Sequence, residues 1–360
     1  MTSRILLTVL SGMALGLAMI SVGCSSDKGN KTKNESLADR MVEDFVETTF
    51  ADIQVEDIEA EFSDEDAVSG KVVCGDDVSG DGTMVFDMVV RDNLIYALTA
   101  DGVILHNLAT GNNMIIDTET PVGAIADLGD KIVLGGDNLY TLEGDFLSDS
   151  DYQLKLDDPI TVLFRHKMNL LIGTTGGLYE LSTDGIRPLA SDIYVSALAS
   201  EGNALWVGTA GQGLYRWDGV SFRKRFLKRD STLFDHVTAL DYRHNHLYLG
   251  TDRGFFTHDG GSWQPYSLAD GLPSETITAI NADDWVVKIG TTRGAVTFFD
   301  NEFKPIPQLT GLAVNRFLTR DNKMLAATAQ GGLIMKSGGV FTVLYDGQEV
   351  TSEIAVEDSW

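Results

Sequence analysis

Short apolar stretches alternate with Gly-rich turns through most of the chain, and the pattern returns after about 38 residues. Its clearest copy runs from Ala204 to Gly219, where Ala-Leu-Trp-Val-Gly-Thr is followed by a turn and then by Gly-Leu-Tyr-Arg-Trp-Asp-Gly. Apolar and polar positions that alternate between such turns predict antiparallel β-hairpins. The Thr that ends the first of these strands, or a weaker counterpart, lies at residues 99, 136, 174, 209, 251, 291 and 328.

Each of the seven copies predicts four strands. In the fifth copy the strands are expected at 237–242, 246–251, 255–258 and 263–268. Five copies contain Thr-x-x-Gly, where glycine is expected because the residue that closes this turn has positive φ. Four-stranded units of this length are typical of propeller blades, whereas a β-solenoid would have shorter repeats. The sequence therefore predicts an all-β fold, a seven-bladed β-propeller of four-stranded antiparallel blades, over residues 84–345.

One copy carries a longer signature. From Leu268 to Ile280 it contains Leu-Ala-Asp-Gly-Leu-Pro-Ser-Glu-Thr-Ile-Thr-Ala-Ile, followed by the Gly-Thr strand and an aromatic Asp-Gly turn. This signature resembles the two-component regulator propeller repeat of periplasmic sensor regions in bacterial hybrid histidine kinases, a WD40-like repeat. The resemblance covers residues 160–345 well and 84–159 poorly. It implies an extracytoplasmic sensing or docking module, but no signalling activity, because nothing in these 360 residues resembles a kinase or a response regulator.

Residues 1–23 have the pattern of a signal peptide. Their apolar run, over 5–20, is shorter than the roughly 20 residues that a membrane-spanning helix needs. The run ends in Ser-Val-Gly-Cys, which resembles the lipobox of bacterial lipoproteins, although Ser21 stands where that family usually has Leu. The resemblance implies lipidation of Cys24 and, from Ser25 after it, an outer-membrane location. The alternative is an ordinary cleaved signal with a chance cysteine.

The segment between this signal and the repeats is polar and then acidic. Residues 24–36 are predicted to be a flexible tether. Apolar side chains four residues apart predict a helix over 37–50, within an acidic helical segment and linker of 37–83. This helix is expected either to dock on the propeller through its apolar stripe or to bind a partner. Residues 346–360 are predicted to be a C-terminal tail.

The amino-acid composition supports the predicted fold and argues against one class of partner. The chain has 37 Gly and 7 Pro, and an excess of Gly suits a fold with many tight turns. It has 53 acidic and 27 basic residues and a formal net charge of −26, which disfavours nucleic acid as a partner. Cys24 and Cys74 are the two cysteines, so lipidation of Cys24 would leave no intramolecular disulfide.

Small polar residues recur in the innermost predicted strand of five units. One interpretation is that they space the strands where these converge and form local hydrogen bonds. The other is that they line an axial channel that binds a small polar ligand or ion. These residues are Thr161, Ser196, Thr238, Thr278 and Asn315.

Two charged residues interrupt a neighbouring column of the same strands, which otherwise contains Ala or Val. Asp87 in the first unit and Arg316 in the seventh occupy equivalent positions. Because these units become neighbours when the ring closes, the sequence predicts an ion pair across the seam.

Two further clusters are candidate binding sites. A cationic run is either a solvated face or a docking site for an anionic partner, such as the chain's own acidic segment or lipid A phosphates. It contains Arg223, Lys224, Arg225, Lys228 and Arg229. A second cluster has oxygen-bearing side chains at the first, third and fifth positions of a calcium-loop pattern. These are Asp77, Ser79 and Asp81, although Met88 stands where such a loop has Glu, and a plain acidic turn is the alternative.

Motifs for catalysis are missing from the sequence, which contains no Gly-x-Ser-x-Gly, P-loop or His-Glu-x-x-His. We therefore expect a non-enzymatic binding or scaffold module that is anchored in the bacterial envelope by lipid. Its expected partner is an envelope protein or a small ligand, and the expected cofactor is none, calcium excepted. The alternative is a propeller-fold glycosidase or lyase that acts on envelope or extracellular polysaccharide, because propeller enzymes can place one catalytic residue on each blade.

Overall fold

Each repeat unit folds into one antiparallel sheet. The computed structural model describes residues 71–73, 83–144, 146–149, 158–225, 235–283 and 286–347. In these residues seven sheets form the seven blades of a β-propeller, and in each blade the strands follow their chain order from the first to the fourth. The predicted fold class is confirmed.

The strands of blades 1 to 3 are β2 (Val85–Arg91), β3 (Leu94–Thr99), β4 (Gly102–Asn107), β5 (Asn113–Ile116), β6 (Ala124–Asp127), β7 (Ile132–Gly135), β8 (Leu139–Glu143), β9 (Phe146–Asp149), β10 (Ile160–His166), β11 (Asn169–Thr174), β12 (Gly177–Ser182) and β13 (Gly185–Ser191). Those of blades 4 and 5 are β14 (Val195–Glu201), β15 (Ala204–Thr209), β16 (Gly213–Trp217), β17 (Phe222–Arg225), β18 (Val237–Arg243), β19 (His246–Thr251), β20 (Gly254–His258) and β21 (Trp263–Tyr266). Those of blades 6 and 7 are β22 (Ile277–Asp283), β23 (Val286–Thr291), β24 (Gly294–Phe299), β25 (Glu302–Pro305), β26 (Val314–Arg320), β27 (Lys323–Thr328), β28 (Leu333–Ser337) and β29 (Val340–Tyr345).

The core lies between the blades. In the described residues, buried apolar side chains form seven clusters, and each cluster joins two neighbouring blades. One of them packs Met88 and Ile95 of blade 1 against Leu325 and Leu333 of blade 7. This cluster closes the ring, so every blade buries both of its faces against a neighbour.

One turn recurs in six of the blades, and it explains the Gly-Thr signature. In blade 5, Thr251 is fully buried, donates its hydroxyl to the carbonyl oxygen of Gly254 at 3.1 Å and accepts the Arg253 N–H at 3.0 Å. The hydroxyl therefore forms hydrogen bonds with two backbone groups of the turn. The Thr residues that donate to a turn Gly in this way are Thr99, Thr174, Thr209, Thr251, Thr291 and Thr328.

The expected positive φ of the turn glycine is confirmed at Gly254 and Gly294, with φ of 133° and 134°. It is wrong at Gly331, where the following Gly332 has positive φ instead, and at Gly177, whose φ is not positive. There the reason for glycine is space, because a Cβ on Gly177 would lie 2.7 Å from the carbonyl oxygen of Ala190 on the next strand.

The predicted strand over 263–268 ends early, at Tyr266. Ser267 instead caps a single turn of 3-10 helix, Leu268–Asp270, by accepting the Ala269 N–H at 3.3 Å. A second 3-10 turn spans Pro307–Leu309. The part of the chain that the structure describes contains no α-helix.

Blade 7 has a fifth strand that was not predicted. Strand β1 (Lys71–Val73), from the segment expected to be linker, pairs antiparallel with the outer edge of β29, with Lys71 opposite Val343. The signal peptide, the tether, the acidic helix and most of the predicted tail lie outside the described residues. The N-terminal part of the chain thus adds at least one strand to the last blade.

Candidate ligand-binding channel

The first strands of the blades surround a cavity of about 380 Å³. Side chains from the inner strands of blades 1 and 3 to 7 line it, together with Gly123 before blade 2. In six blades the inner strand has a register shift next to its first residue. Such a bulge turns the local side chain out of the ladder, and the predicted polar residues lie at these bulges.

The five predicted channel residues all line this cavity. Four of them donate a hydrogen bond to a carbonyl group at the start of the inner strand of the next blade. Thr161 donates to Val195 O at 2.6 Å, and Asn315 donates across the closing seam to Val85 O at 2.8 Å. Ser196 and Thr278 make the equivalent contacts. These side chains therefore link neighbouring blades, and their part in ligand binding stays a prediction.

Thr238 differs from the other four. Its hydroxyl oxygen is buried and has no hydrogen-bond partner in the described part of the chain. A buried, unpaired hydroxyl destabilises a fold by about 1–3 kcal/mol. Thr238 thus provides an unused polar group in the lining of the cavity.

Arg316 and Asp87 meet at the seam between blades 7 and 1. Arg316 Nε lies 3.2 Å from Asp87 Oδ1, the contact expected from their equivalent positions, and 48% of the Arg316 side chain is exposed. Asp87 also accepts the Met88 N–H at 2.9 Å. Burial raises the pKa of Asp87 above its ordinary value, and the Arg316 charge offsets part of this rise.

Asp241 is a third charged residue of the cavity that was not predicted from the sequence. Its Oδ1 accepts the Tyr242 N–H and its Oδ2 the Ala282 N–H of the next blade, each at 2.7 Å. Burial raises the pKa of Asp241, while Arg316 lies near enough for its charge to lower that pKa. The equivalent residues of blades 3 and 4 are Phe164 and Ala199, so a carboxylate in this column was a signal that could have been found.

Ser200 and His166 form another polar contact at the cavity wall. The Ser200 Oγ lies 3.1 Å from His166 Nδ1, and burial lowers the pKa of His166, which favours the neutral imidazole. The nearby Glu180 instead binds Asn169 at 3.0 Å and Arg187 at 2.6 Å. In the described residues no hydrogen bond joins Glu180 to His166, so the three groups do not form a Ser-His-Glu relay.

The other predicted sites do not join the cavity. Arg223, Lys224 and Arg225 are exposed on β17, the outermost strand of blade 4. Arg223 Nη2 lies 3.6 Å from Asp218 Oδ2, and Lys224 Nζ lies 5.8 Å from the ring centre of Tyr215. The remaining predicted residues lie outside the described ones: Cys24, Asp77, Ser79, Asp81, Lys228 and Arg229.

Two features are absent from the part of the chain that the structure describes. No group of three or more His, Cys, Asp or Glu residues there is placed to hold a metal ion. No helix in the same residues has the length and apolar character needed to cross a bilayer.

No known family model matches the chain, and no curated protein is similar to it. Solved structures match its fold. The extracellular domain of a protein assigned to the hybrid two-component systems of B. thetaiotaomicron has a TM-score of 0.59 and 14% identity, over 72% of this chain and 39% of that one. The WD40 β-propeller domain of Doa1 has a TM-score of 0.56 and 14% identity, over 78% and 96%.

The computationally designed Ika8 protein also matches, with a TM-score of 0.52 and 19% identity over 70% of this chain and 82% of the designed one. At these identities the likeness shows the propeller fold. The matched region is well under half of the solved extracellular domain.

Proposed function

We propose that the protein is an extracytoplasmic, lipid-anchored β-propeller that acts as a binding module. The observation that carries the proposal is the axial cavity, in which Arg316, Asp87 and Asp241 interrupt columns of small or apolar residues. Partly buried charges disfavour folding unless they are paired. Blades 2 to 6 have Ala or Val where Arg316 and Asp87 stand, so ring closure does not require these charges.

The proposed location rests on the signal-peptide pattern and on Cys24. The similarity in fold to an extracellular domain of a two-component protein supports it. An outer-membrane lipoprotein would hold the propeller outside the cytoplasm on its tether.

Metabolic labelling with a palmitate analogue tests the anchor. We expect label on the wild-type protein and on Cys74→Ala, and none on Cys24→Ala, whose precursor should accumulate. Label retained by Cys24→Ala would overturn the lipoprotein assignment.

The alternative function, a glycosidase, would need one carboxylic acid and one carboxylate on either side of a glycosidic bond. Asp87 and Asp241 line the cavity, but each is held by backbone N–H groups. Such contacts suit fixed charges better than groups that exchange protons with a substrate. The geometry therefore supports binding more strongly than hydrolysis.

Native mass spectrometry of the full protein, extracted from its own envelope in mild detergent, tests the binding function without assuming a ligand class. We expect a bound small molecule that Arg316→Gln loses and Arg216→Gln keeps, since Arg216 pairs with Glu201 away from the cavity. The absence of bound mass, together with no change in melting temperature on adding envelope extract, would contradict the proposal.

A docking role for the cationic run is a separate part of the proposal. Arg223, Lys224 and Arg225 are exposed side by side on an outer strand, so an acidic envelope protein could contact them without entering the cavity. Replacement of the three by Gln should weaken cross-linking to such a partner, and 1 M salt, with a Debye length of about 3 Å, should weaken it equally in the wild type. Cross-linking unchanged in both conditions would exclude this role.

A further inference from the structure

The axial cavity presents a cation with free hydrogen-bonding capacity. A guanidinium has five N–H donors, and Arg316 contacts Asp87 through Nε. No hydrogen bond to the terminal Nη atoms of Arg316 is present in the described residues. Nearly half of the side chain is exposed and Arg316 lines the cavity, so N–H donors that can bind a carboxylate in two places remain available there.

The same cavity presents carboxylates. Each oxygen of Asp241 accepts one backbone N–H, and a carboxylate can accept about four hydrogen bonds. Asp241 can therefore still receive an ammonium group. Asp241 and Arg316 both line this cavity, so one ligand in it can meet both charges.

Charges of both signs line the cavity, so a ligand that carries both signs can pair with each of them. A purely anionic ligand would meet two carboxylates inside a chain with a net charge of −26, and a purely cationic one would meet Arg316. A ligand with both charges satisfies Arg316 and Asp241 and adds no net charge.

The volume of the cavity suits a small ligand that carries both charges. The cavity of about 380 Å³ is at the small end of the usual range for ligand sites, roughly 300–1,000 Å³. Alanines at positions equivalent to Arg316, among them Ala197, Ala239 and Ala279, leave room beside the guanidinium. The unpaired Thr238 hydroxyl offers one more polar contact.

We propose that the axial cavity binds a small amino-carboxylic zwitterion, with its carboxylate on Arg316 and its ammonium group facing Asp241. This inference rests on the proposed binding function and specifies its ligand class. A series of zwitterions that differ in the distance between their two charges can measure the separation that the cavity prefers.

Titration calorimetry of the full mature protein with glycine, β-alanine, γ-aminobutyrate and dialanine tests the proposal. These probes carry the same two charges at increasing separation. At least one should bind saturably, and its N-acetyl and amide derivatives should bind at least tenfold more weakly, because each lacks one charge. Failure of all four probes, or equal affinity for the N-acetyl derivative, would overturn the proposal.

Variants locate the site. Arg316→Gln and Asp241→Asn should each weaken binding of the preferred probe at least tenfold, whereas Arg216→Gln should leave it unchanged. Circular dichroism identifies any variant that fails to fold, and Arg316→Lys, which keeps the charge, should then retain part of the affinity. Wild-type affinity in folded Arg316→Gln would place the ligand elsewhere. If native mass spectrometry finds a cavity ligand while every zwitterion fails, the ligand class is wrong and the binding function stands.

Discussion

Two columns of the repeat, each made of the equivalent positions of the blades, differ in how uniform they are. At the end of the second strand, six blades have the same buried Thr with the same pair of hydrogen bonds to its turn. In the inner strand, five blades have Ala or Val where blade 1 has Asp87 and blade 7 has Arg316. The first column is uniform in those six blades because the Thr hydroxyl bonds to the backbone of each turn. The second column lines the axial cavity, and its two departures, Asp87 and Arg316, bring opposite charges into the candidate site.

The first prediction tests whether the repeated turn glycines are structurally required. Gly254 has φ of 133°, and a Cβ there would lie 2.8 Å from Tyr266 O. Gly254→Ala should lower the free energy of unfolding by about 3 kcal/mol, because strained φ and a backbone clash act together. Urea unfolding measures this loss.

Gly260→Ala is the matched control for Gly254→Ala. Gly260 also has positive φ, 91°, but no atom lies within 4 Å of the position that a Cβ would occupy there. Its loss should be about 1 kcal/mol, from backbone strain alone. Equal losses in the two variants would show that the close approach to Tyr266 has no energetic consequence.

A second prediction concerns the Thr hydroxyl of the same turn. Thr251→Val keeps the shape but removes both hydrogen bonds of the hydroxyl to the turn backbone. The expected loss of stability is about 2 kcal/mol. Thr292→Val, at an exposed hydroxyl 2.9 Å from Ser274 Oγ, should change stability by less than about 0.5 kcal/mol. A loss that small in Thr251→Val would exclude the hydroxyl as the reason for this column.

Much of the fold could be predicted from sequence because the repeat encodes it locally. The alternation of apolar and polar positions and the Gly-Thr turns were enough to predict the seven blades. Strand β1 could not be predicted, because three residues form it and its pairing with β29 is set only when the ring closes. At the site, equivalent positions paired Asp87 with Arg316. Asp241 could have been found as a carboxylate in a column that has Phe164 and Ala199 in other blades, whereas its contact with Ala282 of the next blade is visible only in the structure.

A third prediction tests the departure from the repeat at the seam. Arg316→Ala introduces the residue that four other blades have at this position, and it leaves Asp87 without its counter-charge. We expect a loss of about 1 kcal/mol at pH 7, moderated by solvent because Arg316 is half-exposed. Asp87→Asn in the same chain should recover part of this loss, since it removes the uncompensated charge and keeps an acceptor oxygen. Strictly additive losses in the double variant would mean that the two residues do not interact.

The smallest expected effect is a change in pH dependence at Asp241. Burial raises its pKa in the folded protein, against the lowering influence of Arg316 and Arg243. As pH rises above the ordinary value of 3.8, the unfolded chain releases this proton first. The contribution of Asp241 to wild-type stability therefore falls until pH passes its raised folded pKa, and it is constant above that pH.

Asp241→Asn lacks this contribution. The unfolding free energy of the variant, minus that of the wild type, should therefore increase between about pH 3.5 and pH 7, whatever constant change the amide introduces. Asp218→Asn is a control of opposite sign, because the N–H groups of Val220 and Ser221 lower the pKa of the exposed Asp218. That carboxylate stabilises the fold above the ordinary pKa and loses the effect as pH falls, so its difference should decrease over the same range. Urea titrations across this range measure both differences. A decrease for Asp241→Asn would show that the cavity stabilises the carboxylate of Asp241, and would contradict the rise in its pKa that burial is expected to cause.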